Sequence, residues 1–344
     1  MHAMEFPRDV FLGNDILHII RNILEKHHFR NPLVVSGKKT YGIAGEKIAS
    51  ILGSECIISE TMGADEAQRI ASEAKQRKCD IIIASGGGRI MDIAKLASSL
   101  ESIPWISVTT TPSNDSLSSQ SISYLLMREC EEKGIKENPI HPPLSIIADM
   151  DILQKSPRRM VCAGYGDLIS NYTAIKDWEL AHRLKGEYIS EYSSALSLMS
   201  AKVAMENTPF FISDFTEATR IVVSGLIASG VAMSIAGSSR PASGSEHLFS
   251  HALDALGSKA FHGEQCGVGT VMMMYLYNED WMGVKNALSS IGSPTTAAGL
   301  GVTDEIVVRA LTMAHTIRDR YTILGDKGLT EKAARSLAEK TGVI

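Results

Sequence analysis

Through about residue 150, short apolar runs alternate with segments of helical period, and after Asp151 the strand signals almost vanish. No other feature restricts the fold as much. The runs Leu33–Ser36, Cys56–Ser59, Asp80–Ala84, Trp105–Thr109 and Leu144–Ala148 have the length and the Ile/Val content of strands buried on both faces. Helical patterns lie between them near Tyr41–Leu52, Asp65–Arg77 and Ile90–Leu100, with Asp65 placed as an N-cap. Such β-α units feed a mainly parallel sheet. The rest of the chain carries long helical patterns rich in Ala, Ser, Met and Leu. At 344 residues the chain exceeds the usual single core. We therefore expect an α/β domain over residues 1–155 and an all-α domain over 156–344.

Composition narrows the function class. With 34 basic against 39 acidic residues and no run of like charge, nothing favours nucleic acid or an anionic membrane as partner, and small-molecule chemistry fits better. Met1–Val10 mixes charged and apolar residues unlike a secretory signal. The uncharged run Ile221–Ser239 is broken by Ser224, Gly225, Ser229, Gly230, Ser234 and Gly237, so it reads as a buried core helix rather than a stable membrane span. Five cysteines without a Cys-x-x-Cys pair point to reduced thiols and a cytoplasmic protein. The apolar helical half leaves surface for self-association, and a homo-oligomer is the expectation.

Three stretches carry chemistry. Ser85-Gly-Gly-Gly88-Arg-Ile-Met-Asp92 follows a strand and opens a helix, where backbone amides and the helix dipole favour an anion such as pyrophosphate. It is not the Gly-x-Gly-x-x-Gly fingerprint, and a glycine turn serving only tight packing is the alternative. Thr109–Ser119 is packed with hydroxyls and carries Asp115 at the carboxyl end of a strand, where open α/β sheets bind ligands.

The third stretch holds His247 and His251, four apart on one helical face, with His262 returning after a turn. Two histidines and an oxygen ligand, for which Asp167 is the candidate, would hold a cation with positions open to substrate. Partly buried core histidines are the plain alternative. The spacing is not His-Glu-x-x-His, which disfavours a hydrolytic zinc site. Cys266 reads either as a soft ligand or as a small buried residue. Arg240 is a candidate for a substrate phosphate or an ordinary surface arginine, Lys95 falls on a helix flank, and Lys38 and Lys39 could meet a ribose phosphate.

Gly-Gly-Gly-x-x-x-Asp at 86–92, Gly-Asp at 166–167, His-Leu-Phe-Ser-His at 247–251 and His-Gly-Glu at 262–264 resemble the metal-dependent polyol dehydrogenases, a group that includes glycerol dehydrogenases, iron alcohol dehydrogenases and dehydroquinate synthases. Gly166–Ala181, Ser234–His247 and Arg320–Gly325 look specifically like the archaeal sn-glycerol-1-phosphate dehydrogenases, and the likeness runs along nearly the whole chain.

The resemblance implies an N-terminal Rossmann-like domain and a helical domain of the dehydroquinate synthase-like type. It also implies NADH- or NADPH-dependent reduction of dihydroxyacetone phosphate to sn-glycerol 1-phosphate, the entry to archaeal ether phospholipids. Carried over by position, it makes Asp167, His247 and His262 ligands of one Zn2+ per chain. Asp115, Asp167 and His251 would stand beside the substrate, His251 and Asp115 in catalytic roles. Gly88, Arg89, Ile90, Met91, Asp92, Thr110, Thr111, Pro112, Ser113 and Ser119 would contact the dinucleotide. Relatives commonly carry His where this chain has Asn114, so any role of a ring there is lost or moved. A glycerol dehydrogenase for unphosphorylated polyols and a dehydroquinate-synthase-like lyase are the rival expectations, the lyase favouring Glu at position 167.

Overall fold

A computed structural model describes residues 4–136 and 138–344. The chain divides into two compact units, the first ending at Pro157 and the second spanning Arg158–Ile344.

The first unit is a sheet of six strands: β1 (Asp9–Gly13), β2 (Pro32–Gly37), β3 (Cys56–Ser59), β4 (Ile81–Gly86), β5 (Trp105–Thr109) and β6 (Ser145–Asp149). Their order is β1-β6-β5-β4-β2-β3 and every neighbouring pair is parallel. Helices α1 (Ile19–Lys26), α2 (Glu46–Leu52), α3 (Ala64–Gln76), α4 (Gly88–Glu101) and α5 (Tyr124–Lys133) connect them.

Successive side chains of a strand point to opposite faces, and here both faces are core. Leu33, Val35, Ile82 and Ala84 pack with Ile70, Ala74, Ile93 and Ala97. Val34, Ile81, Ile83, Ile106 and Val108 pack on the other side with Ile20, Ile23 and Ile48. The unbroken apolar runs of the sequence follow from this two-sided burial. Because the chain steps from β2 outward to β3 and then back across to β4, the strand order reverses between β2 and β4. Ligands of open α/β sheets bind at the carboxyl ends of strands at such a switch point, which here means Gly37 and Gly86.

Three details differ from the sequence reading. β1 was not expected, because it is an edge strand with Val10 and Leu12 exposed and so lacks a buried apolar run. Helix α3 starts at Ala64 after Gly63, whose φ of 123° suits glycine, so Asp65 lies in the first turn rather than at the cap. Glu129 Oε2 takes the capping role by accepting the Ala64 amide at 3.0 Å. The segment expected as one helix over Tyr41–Leu52 is a π-helical turn, Tyr41–Gly45, leading into α2.

The second unit is helical throughout: α6 (Arg158–Ile169), α7 (Asn171–Lys185), α8 (Glu191–Glu206), α9 (Phe215–Ala236), α10 (Ser245–Ala255), α11 (His262–Leu276), α12 (Trp281–Ser290), α13 (Asp304–Met313) and α14 (Glu331–Lys340), with shorter turns between. Helix α9 is long and apolar enough to cross a membrane, yet 67% of its apolar window is buried inside the protein. It packs against α8 and α6, and a Cβ at Gly225 would come within 2.7 Å of Leu168 Cδ1. Its small residues thus serve close helix packing. Leu248, Phe249 and Leu253 of α10 join Val268 and Met272 of α11, Val307 and Leu311 of α13 and Leu337 of α14 in one core.

Candidate functional site

Helices α6 and α11 cross with their backbones in contact. A Cβ at Gly166 would lie 2.2 Å from the Gly263 carbonyl oxygen, and one at Gly263 would lie 1.9 Å from that of Ala163. These glycines adjoin Asp167 and His262, so the crossing itself brings a carboxylate of α6 to the first residue of α11. Helix α10 adds His247 and His251 from one face. Asp167 Oδ1 lies 3.6 Å from Nε2 of His247 and 3.6 Å from Nε2 of His262. Cys266 Sγ is 3.5 Å from His262 Nε2. Donor atoms of Asp167, His247, His262 and Cys266 all fall within 4.8 Å of one another.

Hydrogen bonds behind the rings dictate which nitrogen carries the proton. Gln265 Nε2 donates to Asp254 Oδ1 at 3.1 Å, which turns its Oε1 toward Ser250. The Ser250 hydroxyl spends its only proton on that oxygen at 2.7 Å and must therefore accept from His262 Nδ1 at 3.0 Å. His247 Nδ1 donates to Glu246 Oε1 at 2.9 Å. Glu246 is held in turn by Thr173 Oγ1 at 2.6 Å and the Gly244 amide at 2.7 Å. Both Nε2 lone pairs consequently face Asp167, the arrangement in which a carboxylate or hydroxyl orients a metal-binding imidazole.

Burial, then the charges of Arg318 and Arg320, hold the His247 imidazole down to about 3. Burial likewise pushes His251 and His262 well below the ordinary imidazole range. Neutral imidazoles, an anionic oxygen and a thiol are the donor set that suits a divalent metal, so the residues fit one. His251 stacks on His262 with ring centroids 5.6 Å apart, and its Nδ1 lies 4.0 Å from Asp254 Oδ2.

Arg240 is not a phosphate ligand in waiting. It is buried and paired through Nε with Glu187 Oε1 at 2.7 Å, while its Nη1 donates to the Tyr321 carbonyl at 2.9 Å. Glu187 lies on the turn after α7, a long-range pairing that no local pattern reveals. The cations whose field reaches the histidines are Arg318 and Arg320. Arg320 donates to Ser239 Oγ at 2.8 Å and to the Ser243 carbonyl, in the loop preceding α10. Burial, with Arg240 and Arg318 nearby, brings its guanidinium down to about 9.

In the first unit, β4 ends at Gly86 and α4 begins at Gly88 beyond an extended Gly87. A Cβ on Gly87 would meet Thr111 Oγ1 at 2.6 Å, so Thr110–Ser113 lies directly against the glycine turn. Gly88, Arg89 and Ile90 form the first helical turn, where an anion is favoured. Met91 is wholly buried in the core, and Pro112 is buried. Asp92 turns away from that helix end, accepting the Ser123 amide at 3.0 Å and facing Lys95 Nζ at 3.6 Å.

Lys95, expected on a flank, is buried beneath the hydroxyl loop and donates to Ser119 Oγ at 3.2 Å and the Ser121 carbonyl at 2.7 Å. The signal was a lone lysine amid apolar residues three positions after an aspartate. Asn114 Oδ1 caps the turn Asp115–Leu117 by accepting from the Ser116 amide at 3.2 Å. Burial pushes the Asp115 carboxyl up to about 6, opposed by Lys95 and reinforced by Asp92.

Comparison with known proteins identifies the family. A family model for iron-containing alcohol dehydrogenase matches residues 11–157. A glycerol-1-phosphate dehydrogenase (NAD(P)+) of Pyrococcus furiosus is 48% identical over 352 residues, covering 100% of both chains. The chain belongs to the glycerol-1-phosphate dehydrogenase family. Its counterpart of that name in Methanosarcina mazei is 44% identical, covering 99% of this chain and 96% of that one. Among solved structures, a probable glycerol dehydrogenase from Sinorhizobium meliloti 1021 shares the fold with a TM-score of 0.81 at 19% identity, covering 100% of both chains. A sulfoacetaldehyde reductase from Bifidobacterium kashiwanohense in complex with NAD+ shares it at 0.73 and 15% identity, covering 99% of this chain and 98% of that one.

Proposed function

We propose that this chain reduces dihydroxyacetone phosphate to sn-glycerol 1-phosphate with NADH or NADPH, at a centre where Asp167, His247 and His262 hold one zinc ion, as an entry step to ether phospholipids. The observation that carries it is the meeting of Asp167 Oδ1 with two Nε2 lone pairs at 3.6 Å each. When bound, the ion supplies a Lewis acid for a carbonyl oxygen and the reduced nicotinamide supplies the hydride.

The chain's own residues do the rest. Glu246 and Ser250 fix the two ligand tautomers, and burial keeps both rings neutral at working pH. His251, stacked on one ligand ring and edge-on to the other, is the residue we assign to relaying the proton that completes the product hydroxyl, its neutral ring giving up one proton as the other nitrogen takes one that comes from solvent by way of Asp254, which stands behind Nδ1. Arg318 and Arg320 supply the positive charge a phosphorylated substrate needs beside the imidazoles. We assign the dinucleotide to the turn Gly88–Ile90, Thr110–Ser113 and Ser119, Met91 and Asp92 being directed into the core and toward Lys95 instead, with Lys38 and Lys39 beyond β2 exposed toward a ribose phosphate. We assign Asp115 to the substrate as the family resemblance implies.

The test is incubation of the zinc-loaded protein with dihydroxyacetone phosphate and each reduced nicotinamide, followed by chiral analysis of the glycerol phosphate formed. Cofactor oxidation with the sn-1 product is expected. Oxidation only with unphosphorylated dihydroxyacetone would indicate a polyol dehydrogenase, and turnover without net cofactor oxidation a lyase.

A further inference from the structure

We propose that Cys266 is a fourth protein ligand of the ion held by Asp167, His247 and His262, closing its shell when no substrate is bound. The inference rests on the metal-centre reading above and concerns a residue that reading does not use. Cys266 stands one helical turn after His262 on the same face of α11. It is fully buried.

A tetrahedral ion with bonds of about 2.0–2.1 Å to nitrogen or oxygen and about 2.3 Å to sulfur sets N/O donors roughly 3.3 Å apart and a nitrogen–sulfur pair roughly 3.5 Å apart. The protein holds Asp167 Oδ1 at 3.6 Å from each Nε2 and Cys266 Sγ at 3.5 Å from His262 Nε2. Those match three of the six edges of such a tetrahedron, and the donor atoms of all four residues lie within 4.8 Å of one another. A coordinated cysteine binds as the thiolate, so its Sγ–H proton would leave for solvent when the cation enters. Four protein donors fill the shell of a structural site, while catalysis needs a position for substrate. An incoming oxygen therefore enters as a fifth donor or takes the place of Sγ.

Cobalt(II) substitution of the whole protein tests this. The wild type is expected to show a sulfur-to-cobalt charge-transfer band in the near ultraviolet, lost in Cys266→Ser and Cys266→Ala while the visible bands of bound cobalt persist. X-ray absorption at the zinc edge of the wild type, which needs no variant to fold, should find one sulfur at about 2.3 Å. An oxygen-and-nitrogen shell in the wild type, or a charge-transfer band that survives in Cys266→Ser, overturns the proposal and leaves the metal centre standing. Failure of the wild type to take up either metal removes both readings.

Discussion

Gly263 presses on the backbone of Ala163 so closely that one added carbon would fall 1.9 Å from the Ala163 carbonyl oxygen. Neither a flexible side chain nor open space is there to absorb the clash, so α6 and α11 would have to separate, carrying Asp167 away from His262. Gly263→Ala is therefore expected to cost roughly 1–3 kcal/mol of stability and to weaken metal retention together with it. Urea unfolding and metal content after dialysis check both. A variant that keeps the wild-type midpoint and its metal would show that the crossing does not set the site.

His262→Ala removes one Nε2 from the donor set while the glycine turn and hydroxyl loop, which belong to the other unit, keep their contacts. Turnover should vanish and NADH affinity, followed by fluorescence titration, should stay close to wild type. Chelation of the wild type should give the same pair of results, reversed by added zinc. Loss of nucleotide binding in either experiment would contradict the division of labour between the two units.

Arg318 projects its charge onto all three imidazoles. Hydrogen bonds to charged groups contribute about 1.5–3 kcal/mol, so Arg318→Ala should raise KM for dihydroxyacetone phosphate by roughly ten- to a hundredfold. Activity toward unphosphorylated dihydroxyacetone, slow as it is expected to be, should change little. Equal losses on the two substrates would place Arg318 in support of the histidines rather than in contact with phosphate.

The parts of this molecule that could be read along the chain are those whose partners are local. β2 and β4 are recognisable because two-sided burial makes each a continuous apolar run, and His247 and His251 because four residues make one helical turn. Asp167 has no such mark: its pairing with His262 depends on Gly166 meeting Gly263 across 97 positions, so the sequence offers it only as a candidate oxygen ligand, which resemblance to a family then supports. Arg240 misled for the same reason, its charge being answered by Glu187 after a different helix. For Lys95 the lone lysine amid apolar residues hints at burial, but its partners Ser119 and Ser121 arrive from the loop beyond β5 and cannot be read locally. The edge strand β1, exposed on alternate residues, lacked the apolar continuity that announced the others.

Lys95 lies in the field of both Asp92 and Asp115. Desolvation lifts the Asp115 carboxyl from 3.8 to about 6, with Lys95 pulling down and Asp92 pushing up. The folded protein then holds this proton more tightly than the unfolded chain does. The stability so contributed is complete below about pH 4 and is lost as pH rises through about 6. Asp115→Asn removes the titration, so its stability relative to wild type should increase between about pH 4 and about pH 7, by on the order of 1–3 kcal/mol. Urea unfolding of both proteins across that range measures the difference. Parallel pH dependences would mean that Lys95 keeps Asp115 ionised in the folded protein throughout, with Asp92 taking the shared proton.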